Sequence, residues 1–387
     1  MRNRLLLLCL VAFVVASTAV AKDEYFRPAT PAELALKDVA FAPGAPAVIL
    51  DWVRRRNDQM FFEQEYVRIK ILKDDGKKYA DIELPYVPGY TRIKGIKART
   101  IAPDGTIRNF EGKIYDKLVV KVYGTRVMNK TFTLPDAAPG SIIEYTYTRE
   151  LPTNTLYSTD WSVQRELPVA HQTLSFRPYS GEFASFSAYM GLPEGKRPAK
   201  AESGEWELEL SDMQALPDEP HSPPSVFYAS KVLYYYQRAG QDAPKFWEQY
   251  VKDSTRYVET WAKETGLIKS TAQTLTAGIT DEEAKLRKLY AHVQGLRNLS
   301  YEEEKSEQES RREKLRDNNN VTDVQKNGYG YRTQLNRLFL ALARSSGFDA
   351  QPLDVAQRDE LFTKTLPDSS ELEEIVTVNL GGKQRFF

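Results

Sequence analysis

Arg332 follows a loop opened by Gly328 and Gly330 and begins an apolar segment, a position where enzymes place a nucleophile. Leu335, Leu338, Phe339 and Leu342 fall at i, i+3, i+4 and i+7, and Gly347 follows where a C-cap glycine belongs, so the spacing predicts a buried helix. The unsatisfied N–H groups and the dipole at such a helix start lower the pKa of a thiol. No thiol is on offer. The single cysteine, Cys9, lies near the N-terminus inside an apolar run.

The other chemistry-bearing residues are few. Glu373 and Glu374 are paired carboxylates, the residue type that does glycosidase work, but neighbours on a strand point to opposite faces and are not expected to share a site. The three histidines are His171, His221 and His292. None has a partner at metal spacing and no Gly-x-Ser-x-Gly elbow occurs, so neither a metal, a cofactor nor a serine triad is indicated. His292 sits at the edge of an apolar helical face, where packing or hydrogen bonding is its expected role.

The elements that must position these residues come from the rest of the chain. Its 387 residues, 41% of them hydrophobic, suffice for two or three domains with real cores. Residues 1–21 read as a secretory signal: Arg2 and Arg4, an apolar run from Leu5 to Val15, and Ala19-Val20-Ala21 before a cut near Ala21/Lys22. The run is too short for a spanning helix, so a periplasmic or secreted protein with no stable membrane insertion is expected. Beyond the signal, 51 basic residues face 53 acidic ones, and no basic excess points to nucleic acid.

Residues 22–60 read as an extended lead-in. Val67, Ile69 and Ile71 alternate with Arg68 and Lys70, Asp74-Asp75-Gly76 supplies a turn, and Tyr79 to Leu84 returns, which predicts a hairpin. A second hairpin is predicted from Ile93 to Ile101 through Pro103-Asp104-Gly105. Further strands are read at Gly140–Thr148, at Trp206–Leu210 with its alternating glutamates, and at Val232–Tyr236, a pattern typical of an antiparallel β-sandwich over 61–238. Helical periodicity takes over at Asp242, with Phe246, Tyr250, Tyr257 and Trp261 on one face. A second helix is predicted from a Thr280/Glu283 capping box, and the charge run from Glu302 to Asp317 reads as a solvated face.

Two resemblances join these readings. Arg68-Ile69-Lys70-Ile71-Leu72, Ala98 to Gly105, Phe132-Thr133-Leu134-Pro135-Asp136 and Gly140 to Tyr145 resemble, in order, the β-rich domain of unknown function that precedes bacterial transglutaminase-like domains. Gly330, Leu338-Phe339, Ala341-Leu342 and Gly347-Phe348-Asp349-Ala350 resemble the loop, helix and turn of the transglutaminase-like, papain-related domain itself. The implied fold is α+β, a β-sandwich followed over 239–387 by a transglutaminase-like α+β domain that is incomplete at its C-terminus. The resemblance puts Arg332 at the nucleophile position, Tyr331 and Gln334 at the flanking acid positions, and Glu373-Glu374 at the start of the strand that should open with the base histidine. It therefore implies a pseudoenzyme that binds peptide or envelope protein; the rival is a hydrolase working with residues such as Glu373 and Arg332. Arg332 is expected either to turn to solvent or to pair with Glu371, Glu373 or a ligand carboxylate. Arg385-Phe386-Phe387 is expected to leave a frayed, apolar edge after Leu380.

Overall fold

A computed structural model of the chain describes residues 26–122, 125–153, 156, 158–181, 183–216, 221–238, 242–302, 311–357, 369 and 372–387. The signal-like segment with Cys9 and the Ala21/Lys22 junction lies outside the described residues, as do Glu307 and Glu371.

The N-terminal region is built of strands β1 (Ala47–Asn57), β2 (Phe62–Ile71), β3 (Asp81–Tyr86), β4 (Arg92–Ile101), β5 (Ile107–Asn109), β6 (Tyr115–Val122), β7 (Thr125–Thr133), β8 (Ile142–Glu150), β9 (Thr159–Ser162), β10 (Val169–Arg177), β11 (Phe183–Met190), β12 (Ala199–Lys200), β13 (Trp206–Met213) and β14 (Lys231–Arg238). They form an eight-stranded sheet in the order β12-β13-β10-β1-β2-β8-β4-β5 and two three-stranded sheets, β11-β14-β9 and β3-β7-β6. One core joins all three, with Trp52, Val67, Ile69, Ile143, Leu174 and Leu208 from the large sheet meeting Ile82, Leu84 and Phe132 on one side and Trp161 and Tyr234 on the other.

Several expectations change here. The residues read as part of the lead-in contain β1, an eleven-residue strand at the centre of the large sheet. Its pairing with β10 is parallel, so the sheet is mixed rather than antiparallel. The hairpin predicted from Tyr66 to Leu84 does not form: β2 pairs with β1 and β8, while β3 pairs with β7 in another sheet. Asp74–Ala80 winds into a 3₁₀ helix instead of a tight turn. Gly76 makes this possible, since a Cβ there would lie 2.3 Å from the Pro46 carbonyl oxygen, and the chain leaves in the direction of the second sheet. The hairpin between β4 and β5 forms as predicted.

The alternation in β2 also has a different outcome from the usual half-solvated strand. Arg68 and Lys70 are as buried as Val67 and Ile71. They are covered by residues 26–36, where a short helix, Pro31–Ala35, starts with a Thr30/Glu33 capping box. Arg68 bonds Glu144 and Glu33, Arg99 Nη2 donates to the Arg27 carbonyl at 2.7 Å, and Lys70 Nζ donates to the Leu34 and Gly140 carbonyls at 2.8 and 2.5 Å. A charge removed from water needs partners of this kind, and the lead-in supplies them through its backbone and Glu33.

The C-terminal region is helical first. Helix Ala243–Trp261 is capped by Asp242, Gly266–Thr276 follows, and Glu282–Gln294 is capped by Asp281, one residue after the predicted Thr280. Strand β15 (Arg297–Asn298), helix Val321–Asn327 and β16 (Tyr329–Gly330) lead to helix Arg332–Ser345, then β17 (Asp349–Val355), β18 (Glu373–Leu380) and β19 (Lys383–Phe386). Helix Arg332–Ser345 is the centre of this second core: seven consecutive residues, Arg337 to Ala343, are buried, so it is enclosed nearly all round by Ile268, Leu289, Val293, Val321, Val324, Val376 and Val378. Gly347, at φ +88°, ends it as predicted. β17, β18 and β19 form an antiparallel sheet against the helix. The expected loose end is partly covered, because Phe387 packs its ring 4.8 Å from Phe339 and 5.2 Å from Tyr290, while Phe386 remains exposed.

Candidate functional site

The loop before the central helix is wound by its glycines. Gly328 closes helix Val321–Asn327 in the left-handed region at φ +75°, where a side chain is strained. Gly330 is buried, and a Cβ on it would come within 3.3 Å of the Gln334 side chain. Tyr331 is the N-cap residue and Arg332 the first residue of the helix. The free amides of such a helix start are what would serve an anion. Here two of them are occupied: Arg332 N donates to Ser300 Oγ at 2.8 Å, and Gln334 folds back so that its Oε1 accepts from Tyr331 N at 3.1 Å. Gln334 also accepts from Asn318 Nδ2 at 3.2 Å. Gly330, Tyr331 and Gln334 are thus parts of a cap.

Glu373 is the first residue of β18 and faces that helix start. Its Oε2 accepts from Arg332 Nη1 at 2.8 Å and its Oε1 from Gln357 Nε2 at 2.8 Å. The Arg332 hydrogen bond outweighs partial burial and holds the Glu373 carboxyl below the ordinary carboxylate range. Of the two alternatives for Arg332, the structure takes the paired one. A cation at a helix N-terminus is disfavoured by about 0.3–1 kcal/mol, and Glu373 is the compensating anion.

Glu374 is held by Arg337, whose Nε and Nη2 lie 2.9 and 2.7 Å from the two carboxylate oxygens in a fork. Both side chains are about nine-tenths buried, and the Arg337 guanidinium covers the rings of Tyr257 and Trp261 at 4.7 and 5.4 Å. The two carboxylates therefore reach the same helix, although neighbours on a strand were expected to part. Arg332 and Arg337 are five positions apart, about 140° around the helix, so each glutamate meets its own arginine and no joint acid–base site forms. Tyr257, placed by periodicity on the buried face, is exposed, whereas Val258 and Trp261 are buried.

Beside the helix start lies a cavity of about 480 Å³ lined by Tyr257, Trp261, Asn318, Tyr331, Thr333 and Arg337, among others. His292 Nε2 lies 3.0 Å from Gln325 Oε1 and ties two helices, a packing role as expected. His171 was not singled out by any pattern, yet it bridges three strands, with Nδ1 3.0 Å from Asp51 Oδ1 and Nε2 2.9 Å from Glu209 Oε1. Only strand pairing brings those three residues together, and no local spacing signals it.

Comparison with known proteins agrees with this architecture. Residues 58–217 match the family model DUF3857, a domain of unknown function with a solved structure, and residues 269–360 match the core model of the transglutaminase-like superfamily. A crystal structure from Parabacteroides distasonis, described as a "putative protease", superposes with a TM-score of 0.60 at 15% identity, covering 88% of this chain and 67% of its own, and shows the fold alone. Leukotriene A4 hydrolase from Saccharomyces cerevisiae aligns at a TM-score of 0.27 and 9% identity over 56% of this chain and 35% of its own, which carries no argument. No curated protein matches the chain. The chain thus carries a DUF3857 domain followed by a transglutaminase-like core.

Proposed function

We propose that this is a secreted or periplasmic, non-catalytic transglutaminase-like protein whose core binds a peptide or a cell-envelope protein. The observation that carries the reading is the Arg332–Glu373 ion pair, which occupies the place where the resemblance puts a thiol and its base. A guanidinium does not give up its proton near neutral pH and is no nucleophile, and a carboxylate it holds ionised is a poor proton donor. Glu374 is held in turn by Arg337, so each of the paired carboxylates the rival hydrolase reading would use is bound by a guanidinium. Export rests on the residue pattern of positions 1–21.

The test is a screen of purified protein for peptidase, transglutaminase, amidase and glycosidase turnover beside calorimetric titration with extended peptides. Peptide binding without turnover is expected, weakened by Tyr331→Ala at the cavity rim. Turnover that disappears in Glu373→Gln would overturn the proposal. Intact mass of exported material beginning near Lys22 checks the location.

A further inference from the structure

The three sheets of the N-terminal domain leave a cavity of about 630 Å³ among them, a volume that suits a small molecule. Ile49, Val67 and Ile69 of the large sheet, Ile82 of β3 and Leu167 give it an apolar wall. Arg54, Tyr145 and Arg165 line the same space. Of the polar side chains around it, only Arg54 and Tyr145 make no hydrogen bond among the described residues.

Arg54 is the unusual member. Its side chain is 15% exposed, and its guanidinium lies over the rings of Trp52 and Trp161 at 5.3 and 5.0 Å. A guanidinium carries five donors, yet none is used here and Nε is fully buried. Glu63 Oε1 lies 3.7 Å from Arg54 Nη2, beyond hydrogen-bond reach, and that carboxylate already accepts from Arg149 Nη1 at 2.9 Å and Trp161 Nε1 at 3.2 Å. Contact with two rings recovers only part of what a cation loses when it leaves water.

The surrounding charges point the same way. Arg149 is tied to Glu63 and Arg165 to Glu65, which leaves Arg54 as one cation in excess over these two acids. The other acids around the cavity have partners: Glu83, Asp160 and Glu166 pair with Lys117, Lys231 and Lys78, and Asp81 accepts from Thr133 Oγ1 at 2.6 Å. A single negative charge would balance Arg54, and the two oxygens of a carboxylate match the guanidinium fork. A doubly charged phosphate would exceed that balance and face the rim carboxylates as well.

We propose that this cavity binds an organic monocarboxylate, with the carboxylate on the Arg54 guanidinium and the apolar body against Ile49, Val67 and Ile69. The site lies in the domain ahead of the transglutaminase-like core, so it does not depend on the peptide-binding reading of that core.

Calorimetric titration of the full chain tests this with hexanoate, phenylacetate and N-acetylleucine, each beside its primary amide, and with inorganic phosphate. At least one carboxylate is expected to bind about ten-fold or more tightly than its amide, which keeps the shape and gives up the charge. Arg54→Met should weaken that binding by about ten-fold or more, the effect of losing a charged hydrogen bond. Arg54→Lys keeps a cation beside Glu63 and loses the fork, so it should bind with intermediate affinity, and a near-UV circular dichroism spectrum like that of the parent verifies its fold. The proposal is overturned if none of the carboxylates binds, if amides bind as tightly as acids, if phosphate binds as tightly as the carboxylates, or if both Arg54 variants keep the parent affinity.

Discussion

Arg332 Nη1 lies 2.8 Å from Glu373 Oε2, joining the first residue of the central helix to the first residue of β18 across 41 positions of sequence. The pair sets an anion, Glu373, against the cation that begins the helix, and neither partner exchanges a proton near neutral pH. Its neighbour, the Arg337–Glu374 pair, is more deeply buried and stacked on aromatic rings. The two pairs should therefore differ in energetic weight.

Arg337→Ala is expected to destabilise the protein by about 3–5 kcal/mol, because it leaves Glu374 buried without its cation. Arg332→Ala removes a pair whose members are 36% and 26% exposed, and about 1 kcal/mol or less is expected. Urea unfolding of the two variants side by side measures the difference; equal losses would contradict the assigned burial.

Arg332→Cys alone should give a sluggish thiol, since Glu373 beside it opposes the thiolate. The double variant Arg332→Cys/Glu373→His restores a thiol next to an imidazole, and its alkylation by iodoacetamide near neutral pH should be about ten-fold faster, the effect of one unit of thiol pKa. Alkylation rates across pH decide this without any assumption about a substrate.

Glu65, inside the N-terminal core, accepts from Trp52 Nε1 at 2.7 Å and is also bonded by Arg165 and Tyr147. Burial by itself would raise its pKa, but Arg165, then Arg54 and the hydrogen bonds, bring it down to about 2. A depressed carboxylate contributes stability that is complete above its unfolded value of 4.5 and is lost as pH falls from there towards 2. Glu65→Gln should cost about 3 kcal/mol at neutral pH and flatten the stability profile in that acid window. Urea midpoints between neutral and acid pH provide the comparison.

His171 shows the opposite sign. Partial burial lowers its pKa, but the hydrogen bonds to Asp51 and Glu209 prevail and raise it above 6.5. The imidazolium form therefore adds stability that is complete below 6.5 and fades as pH rises through the folded value. The site is well solvated, so the gain is ~1 kcal/mol or less. An NMR titration of the His171 ring should place its midpoint above that of His171 in urea-unfolded protein, and Asp51→Asn should bring it down.

Much was legible from the residues alone. The i, i+3, i+4, i+7 spacing from Leu335 to Leu342, the glycines at 328 and 347 and the alternation in β13 are signals carried within a few turns of chain, and the described helix, caps and strand follow them. The absence of a thiol outside the N-terminal segment is equally a property of composition. What only the tertiary structure decided is non-local. The apolar run of β2 reads the same whether its neighbour is β3 or β1, because alternation specifies faces and not partners, and the turn at Gly76 was settled by the close approach of Pro46. The alternation in β2 does not by itself tell that Arg68 and Lys70 are buried, because residues 26–36, remote in sequence, supply their cover. The resemblance marked Arg332 and Glu373 one by one, but an ion pair between residues 41 positions apart depends on how helix and sheet pack, and no local pattern contains that distance.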